Sequence, residues 1–462
     1  MNESLALAKH ITDINYRDIP SSVVGITKKS FLDGLGVMLA ASRLGEGCKQ
    51  FVNLAIAGGG KKESTIIGVN TKVPAAMAAF ANGSMSHALD FEDFHDGASL
   101  HPNAAAIPAA LAVAESIGNV SGKEFITALT LGSDIVCRLG LARSQDEDPL
   151  KSGWYMPPIL GAFGATTAAC KLLSLSVKQV LDAFSLTLCQ ATCSAELIYS
   201  PHSIIRAIRD AFSAKAGVLS ALLAQKGITG FAQPIEGKAG LFTMYSRGKY
   251  NPYILTDGLG RIFEGANVSF KPWPACAGTH PYIEATLQIV NECNIKPSDI
   301  KGIKLVVSSR SESRMLYEPL ERKRNPATVI DAKFSLPFAV ATALVYKSVT
   351  LGHFTPQALL DQSVLDVAQK VTYEVIPKPN WSELKQGLVQ IRTKHEEINS
   401  KMVEFTYGHP KNPISQEALV TKFMDCAAHS AKQISKEDLN KLVELILHLE
   451  DVGNVGQIVE YL

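Results

Sequence analysis

The chain has 462 residues, 46% of them apolar and 19% charged, with a net charge of about +1. This balance leaves no electrostatic footprint for nucleic acid or an anionic membrane, so neither is expected as a partner. The length exceeds one ordinary hydrophobic core, and two domains are expected.

Met1 to His10 has no basic segment ahead of a long apolar core, so no signal peptide is expected. No uninterrupted apolar run approaches the ~20 residues of a membrane span; Ala104 to Ala114 comes nearest, and Pro108 interrupts it. Eight cysteines (48, 137, 170, 189, 193, 276, 293 and 426) include no Cys-x-x-Cys pair, which reads as reduced thiols in a cytoplasmic protein. Cys189 and Cys193, four apart on an expected helix, read as a small apolar pair rather than a metal site.

The first 265 or so residues predict helix after helix, from apolar spacings of three and four. Ser22 to Ala41 is amphipathic. Pro74 to Leu89 and Pro108 to Ile117 follow, each with proline near its start. Gly122 to Leu141 and Gly161 to Leu173 come next, the latter with small residues that let helices approach closely. Val177 to Cys193 and Ala207 to Gly227 continue the pattern, with Gly227 as a cap. After about Val268 the character changes. Ile300 to Ser308, Val371 to Ile376, Leu388 to Arg392 and Met402 to Tyr407 predict strands. Helical patterns at Pro281 to Cys293, Ala332 to Val345 and Pro356 to Gln369 lie between them. From Pro413 the chain turns helical again. The expected architecture is mainly α: a large helical domain, 1–267 with 408–462, and a smaller α+β domain, 268–407.

The segment His87 to Pro102 packs three histidines and four carboxylates (Asp90, Glu92, Asp93, Asp96) into sixteen residues between alanine-rich helices. Its residues admit three readings: a hydrated surface loop, a divalent metal site, or acid–base catalysis by a histidine supported by a carboxylate. The spacing matches no closed metal motif. A second candidate, Lys271-Pro-Trp-Pro-Ala-Cys-Ala-Gly-Thr-His280, presents Lys271, Cys276 and His280 at the domain boundary, where small-molecule sites are commonly built. Arg206 and Arg209 sit three apart beside Asp210. They read either as a helix-surface pair or as guanidiniums for a substrate with several carboxylates. Tyr317 alone reads as packing. No phosphate-binding glycine loop and no Gly-x-Ser-x-Gly elbow occurs, so no nucleotide dependence is expected.

These motifs resemble the MmgE/PrpD family, which includes 2-methylcitrate dehydratase, cis-aconitate decarboxylase and iminodisuccinate epimerase. The likeness spans nearly the whole chain: Ser86-His-Ala-Leu-Asp-Phe-Glu-Asp leading to His101-Pro, then Lys271 to His280, Asp331-Ala-Lys-Phe-Ser-Leu-Pro-Phe, and Gly408-His-Pro-Lys-Asn-Pro followed by Lys422-Phe423. It implies a helical domain with an α+β lid, a homodimer, and chemistry without cofactor or metal. Asp90 and His101 match the family's active-site aspartate and histidine, Lys271 its lysine, and Tyr317 its lid-domain tyrosine. Cys276 falls where the decarboxylase branch carries histidine. Tyr155 stands where many members have a histidine, while Arg206 aligns with a lysine and Arg209 with a histidine.

The resemblance implies a cofactor-independent lyase, dehydratase or decarboxylase, acting on a small di- or tricarboxylic acid. Lys271 and Arg206 or Arg209 would neutralise substrate carboxylates, with Tyr155, Cys276 and His280 lining the substrate. His101 would transfer the proton, Asp90 would fix its ring, and Tyr317 or Tyr155 would protonate a leaving hydroxyl. Glu92, Asp93, His95 and Asp96 read as scaffold. Two alternatives stay open: an epimerase of an amino-dicarboxylate such as iminodisuccinate, and a non-catalytic polycarboxylate-binding member.

Overall fold

The alanine- and glycine-rich runs of the first half form closely packed helices. In the computed structural model, which describes residues 2–143, 152–200, 202–309, 311–376 and 387–462, these are α1 (Ser21–Leu44), α2 (Ala75–Ser86), α3 (Asn103–Ile117), α4 (Gly122–Ala142), α5 (Met156–Leu172) and α6 (Asp210–Gln225). Helix α5 lies at the centre, against α3, α4 and α6. Small residues permit this. A Cβ on Gly132 of α4 would stand 2.9 Å from the Gly164 carbonyl oxygen of α5, and one on Gly217 of α6 would stand 2.5 Å from the Ala165 Cβ. Glycine inside a helix costs about 0.5–1 kcal/mol relative to alanine, here offset by backbones that approach closely. Helix α4 is the one helix among the described residues long and apolar enough to cross a membrane, and 94% of that stretch is buried inside the protein.

Several elements differ from the sequence expectation. Helix α3 begins at Asn103, which places Pro108 inside it rather than at its start. The Ala104 to Ala106 run favours helix strongly enough to tolerate one missing N–H. Helix α2 stops at Ser86, so His87 to Leu89 belong to the following loop. The helix from Val177 ends at Leu188, leaving exposed Cys189 and half-buried Cys193 off it, and the face they were expected to share does not form. All eight cysteines are free. The helix expected from Ala207 divides into a single turn, Ile205–Ile208, and α6.

Beyond residue 268 the chain builds α7 (His280–Cys293), β1 (Ile300–Ser308), α8 (Leu336–Tyr346), β2 (Val371–Ile376), β3 (Gly387–Thr393) and β4 (Ile398–Val403). The sheet order is β2-β1-β3-β4, with β1–β2 parallel and the other pairs antiparallel; Leu305 faces Tyr373 on one side and Val389 on the other. Strand β3 buries alternate residues, among them Val389 and Ile391, and α7 packs on β3 and β4. The last strand falls on 398–403 rather than on Met402 to Tyr407. The helix α9 (Gln416–Ala428), capped by Ser415, returns to lie along α1.

Candidate active site

The polar segment is the connection between α2 and α3, and its backbone is pinned from three directions. Phe94 and Ser269 exchange backbone hydrogen bonds of 2.9 and 2.7 Å, which fastens the loop beside Lys271. The Lys333 ammonium donates to the carbonyls of Leu89 (2.6 Å) and Pro274 (2.8 Å). The Lys422 ammonium donates to those of Phe91 (2.6 Å) and Lys271 (2.9 Å), and pairs with Asp33 of α1 at 2.6 Å. Asp90 adopts φ 48°, a left-handed conformation that aspartate tolerates better than most residues.

Inside this frame, buried carboxylates meet cations. Asp90 Oδ1 accepts from the Lys271 ammonium, which also donates to the Asp90 carbonyl at 3.0 Å. Burial opposes ionisation of Asp90, but Lys271, His87 and His101 outweigh it and hold the carboxyl well below its usual range. Glu92 stands between the two imidazoles. Its Oε1 accepts from His87 Nδ1 and lies 2.9 Å from His101 Nδ1, while Oε2 accepts from the Phe91 N–H at 3.0 Å. His101 Nδ1 also reaches the Asp93 carbonyl at 3.0 Å. Glu92 can only accept from His87 Nδ1, and the Asp93 carbonyl can only accept from His101 Nδ1, so both Nδ1 atoms carry protons and each Nε2 is the open ring nitrogen. Asp93 accepts from Asn103 at 2.6 Å, and burial with neighbouring Asp33 raises its carboxyl to about 7.

The partner expected for His101 is therefore corrected. Asp90 is committed to Lys271; the His101 imidazole is held by the Asp93 carbonyl, with Glu92, read from the sequence as scaffold, as the carboxylate at ion-pair distance. The loop brings residues 87, 92 and 101 together by doubling back, which a linear spacing does not reveal.

Arg206 and Arg209 approach from the α6 side. The Arg206 guanidinium carbon lies 3.4 Å from the Phe334 ring centroid and 5.7 Å from that of Tyr155; the Arg209 carbon lies 5.0 Å from Tyr155. Arg209 also lies 3.7 Å from Asp210, and its charge acts on both Asp90 and His87. Arg206 has no carboxylate partner among the described residues; one of its nitrogens lies 3.5 Å from the Met315 sulfur, although the residue is only 6% exposed. Cys276 lies within the electrostatic reach of Asp90, Lys271 and Arg206, and burial raises its thiol to about 11, so it stays protonated.

Two expected site residues stand apart. Tyr317 donates to the Ser308 carbonyl at 2.8 Å and packs on Tyr373, and burial raises its phenol to about 12. It shares a helix with Met315, but two residues along a helix turn about 200°, so Met315 faces Arg206 while Tyr317 faces the sheet. His280 is bonded to the Ala275 carbonyl at 3.1 Å beneath the Lys271 loop; burial and Lys271 lower it to about 3 and keep it neutral. It supports the loop.

His87, Asp90, Glu92 and His101 each offer one ligand atom within 4.8 Å of the others, the one group among the described residues with metal-ligand spacing. Their charges are already matched by Lys271 and by one another, so a cation there would compete with Lys271 for Asp90.

Residues 5–253 match the MmgE/PrpD N-terminal domain and residues 273–448 the MmgE/PrpD C-terminal domain. A cis-aconitate decarboxylase-like protein of Aspergillus oryzae is 27% identical, the match covering 99% of this chain and 96% of the relative. The cis-aconitate decarboxylase of Aspergillus terreus is 26% identical over 96% and 92% of the two chains. The human cis-aconitate decarboxylase is 25% identical over 98% and 92%. With both domains matched in order along the length of the chain, the protein belongs to the MmgE/PrpD family.

Proposed function

We propose that the protein is a lyase that decarboxylates a small tricarboxylic acid of the cis-aconitate type, without a cofactor. The observation that carries this reading is that Lys271 and Arg206 both act on Cys276 and Arg209 on His87, around Asp90, with the buried Arg206 guanidinium unmatched by any described carboxylate. A buried unmatched cation is costly unless an anion completes it, and a guanidinium suits a carboxylate. In the reaction, the bond between the departing carboxylate carbon and its neighbour breaks. Its electron pair moves into the adjacent alkene–carboxylate system, and CO2 leaves. Cations around the remaining carboxylates stabilise that charge, and protonated His101 delivers a proton from Nε2 to carbon.

The placement of Tyr317 favours decarboxylation over dehydration. Elimination of water needs an acid for the leaving hydroxyl; of the two tyrosines read for that role, Tyr317 is bonded to Ser308, and only Tyr155 stays beside the arginines. Decarboxylation needs no such acid. Incubation with citrate, methylcitrate, cis-aconitate and iminodisuccinate, followed by proton NMR in D2O, separates the readings. Consumption of cis-aconitate with one deuterium in the product is expected. Water loss from a hydroxy acid, deuterium exchange without decarboxylation, or inertness to all four would overturn it.

We further propose a cytoplasmic homodimer with the domain division read from the sequence. Exposed Phe212 packs against Phe51 and Phe80, with Leu54 one turn along from Phe51, which gives an apolar face for a second copy. Light scattering reporting a monomer would remove the dimer.

A further inference from the structure

We propose that His87, Glu92 and His101 form one proton-handling unit, in which Glu92 positions His101 and supplies its counter-charge while His87 holds Glu92 in place. The inference rests on His101 being the proton-transfer group of the proposed lyase.

Three observations converge. First, both Nδ1 atoms meet the same oxygen of Glu92, and the other oxygen is taken by the Phe91 N–H, so the carboxylate cannot rotate away from either ring. Second, Asp90 is occupied by Lys271, which leaves Glu92 as the carboxylate on His101. Third, the two rings stand 4.5 Å apart, yet their surroundings differ: the His87 side chain is fully buried and its Nε2 has no hydrogen-bond partner, whereas the His101 side chain is 11% exposed.

The asymmetry assigns the roles. Burial and the Arg209 charge oppose a proton on His87 Nε2, so a proton that enters the unit goes to His101, the more exposed ring. A proton on His101 is balanced by Glu92. Because His87 donates to Oε1 as well, Glu92 is a weaker base and the proton does not collapse onto it. The groups facing the pair are Asp90 and Asp93 on the loop, Lys271 ahead of α7, Arg209 before α6, and Asp33 of α1. Lys333 and Lys422 lie behind the backbone. The side chain that meets both rings is that of Glu92. It is a positioning residue, and its effect passes through His101.

The test uses full-length protein labelled with 15N-histidine, the two rings assigned from the His87→Asn and His101→Gln variants. In the wild type both rings are expected as Nδ1–H tautomers at pH 8, and His87, buried beside the Arg209 charge, is expected to stay neutral as the pH falls. An Nε2–H tautomer at either ring would overturn the proposal. Glu92→Gln keeps the size and the accepting oxygen but removes the charge. The His101 titration midpoint is then expected to fall by about one pH unit or more. The limb of the pH–rate profile belonging to His101, the alkaline one for a group that starts protonated, should move down equally. The expected fall in kcat is about 10²-fold, with KM within about threefold. Glu92→Asp, which keeps the charge, should restore the limb towards its original position. A midpoint unmoved in Glu92→Gln, or in a Glu92→Ala variant should the first not fold, refutes the unit. If the wild type converts none of the acids tested, the lyase reading fails while the ring titrations still decide this one.

Discussion

Replacing Lys333 by methionine tests whether the loop is held by a buried ammonium that works against its own desolvation. Lys333 is fully buried, and burial, opposed by Asp90 and reinforced by Lys271, lowers it from 10.5 to about 7. That drop corresponds to a cost of about 5 kcal/mol for keeping the charge at low pH, at about 1.4 kcal/mol per pH unit. Methionine relieves that cost but leaves the two carbonyls that the ammonium satisfies without a donor, at about 1.5–3 kcal/mol each. At pH 7 the two effects nearly cancel, so Lys333→Met should differ from the wild type by no more than about 2 kcal/mol. The sign of the pH dependence then follows. Between pH 7 and pH 10 the unfolded chain holds a proton on Lys333 that the folded chain has released, so wild-type stability rises with pH. The gain reaches up to about 4 kcal/mol by pH 10, and the methionine variant lacks it. Denaturant unfolding of both proteins at pH 7, 8, 9 and 10 measures the difference, in which all other titrating groups cancel. A difference constant within about 1 kcal/mol across that range would refute a buried lysine of lowered pKa. Activity should fall in the variant at every pH, because Leu89 and Pro274 lose their common anchor.

His101→Gln should lower kcat by at least about 10²-fold with an unchanged circular dichroism spectrum. Tyr317→Phe should leave turnover of the decarboxylated acid within about threefold while costing about 1 kcal/mol in denaturant unfolding, since it removes only the bond to Ser308. Arg206→Lys keeps the charge but not the planar stack on Phe334, and KM for the substrate should rise about tenfold in steady-state kinetics. Asp331 accepts two bonds from Arg322 (2.7 and 3.1 Å) and one from Lys323 (3.0 Å); burial opposes its ionisation, but these partners hold it below its ordinary 3.8. Its contribution to stability is present above pH 4 and lost as pH falls through the lowered value, so Asp331→Asn should flatten the acid side of a melting-temperature profile.

Helices with a strong apolar period or a dense run of small residues were legible in the sequence, as was the strand Ile300–Ser308, which falls where its alternation predicts, whereas the short pair Ser64–Ile66 and Thr71–Val73 was not. Boundaries moved where a local preference competed with a tertiary contact. Ala207 to Gly227 reads as one helix by composition, yet the chain bends before Asp210 and delivers Arg206 and Arg209 towards Tyr155. The location of the site was legible from its polar residues, because seven titratable groups between two alanine-rich helices must be hydrated, paired or put to chemical use. The pairing was not. Asp90 precedes Glu92 by two positions, and which of them meets His101 depends on a left-handed turn at Asp90 and on Lys271, 181 residues away. Tyr317 shows the same limit, since its helix was legible but the phase of the helix against the site was not.

The motifs that carry the family likeness divide by task. Two of them, around His87–Pro102 and Lys271–His280, hold the groups that can move protons or meet carboxylates. The other two hold lysines whose partners are backbone carbonyls. Lys333 ties residue 89 to residue 274, and Lys422 ties residue 91 to residue 271. Each therefore joins the same two active-site segments, one ahead of Asp90 and one behind it. An ammonium with three protons in fixed directions suits this work, because a carbonyl shifted by an ångström loses most of its bond. The cost is two buried cations close to Lys271, and the chain offsets it with Asp33 for Lys422 and a lowered pKa for Lys333. A substitution at either lysine should therefore move the loop that carries Asp90, Glu92 and His101.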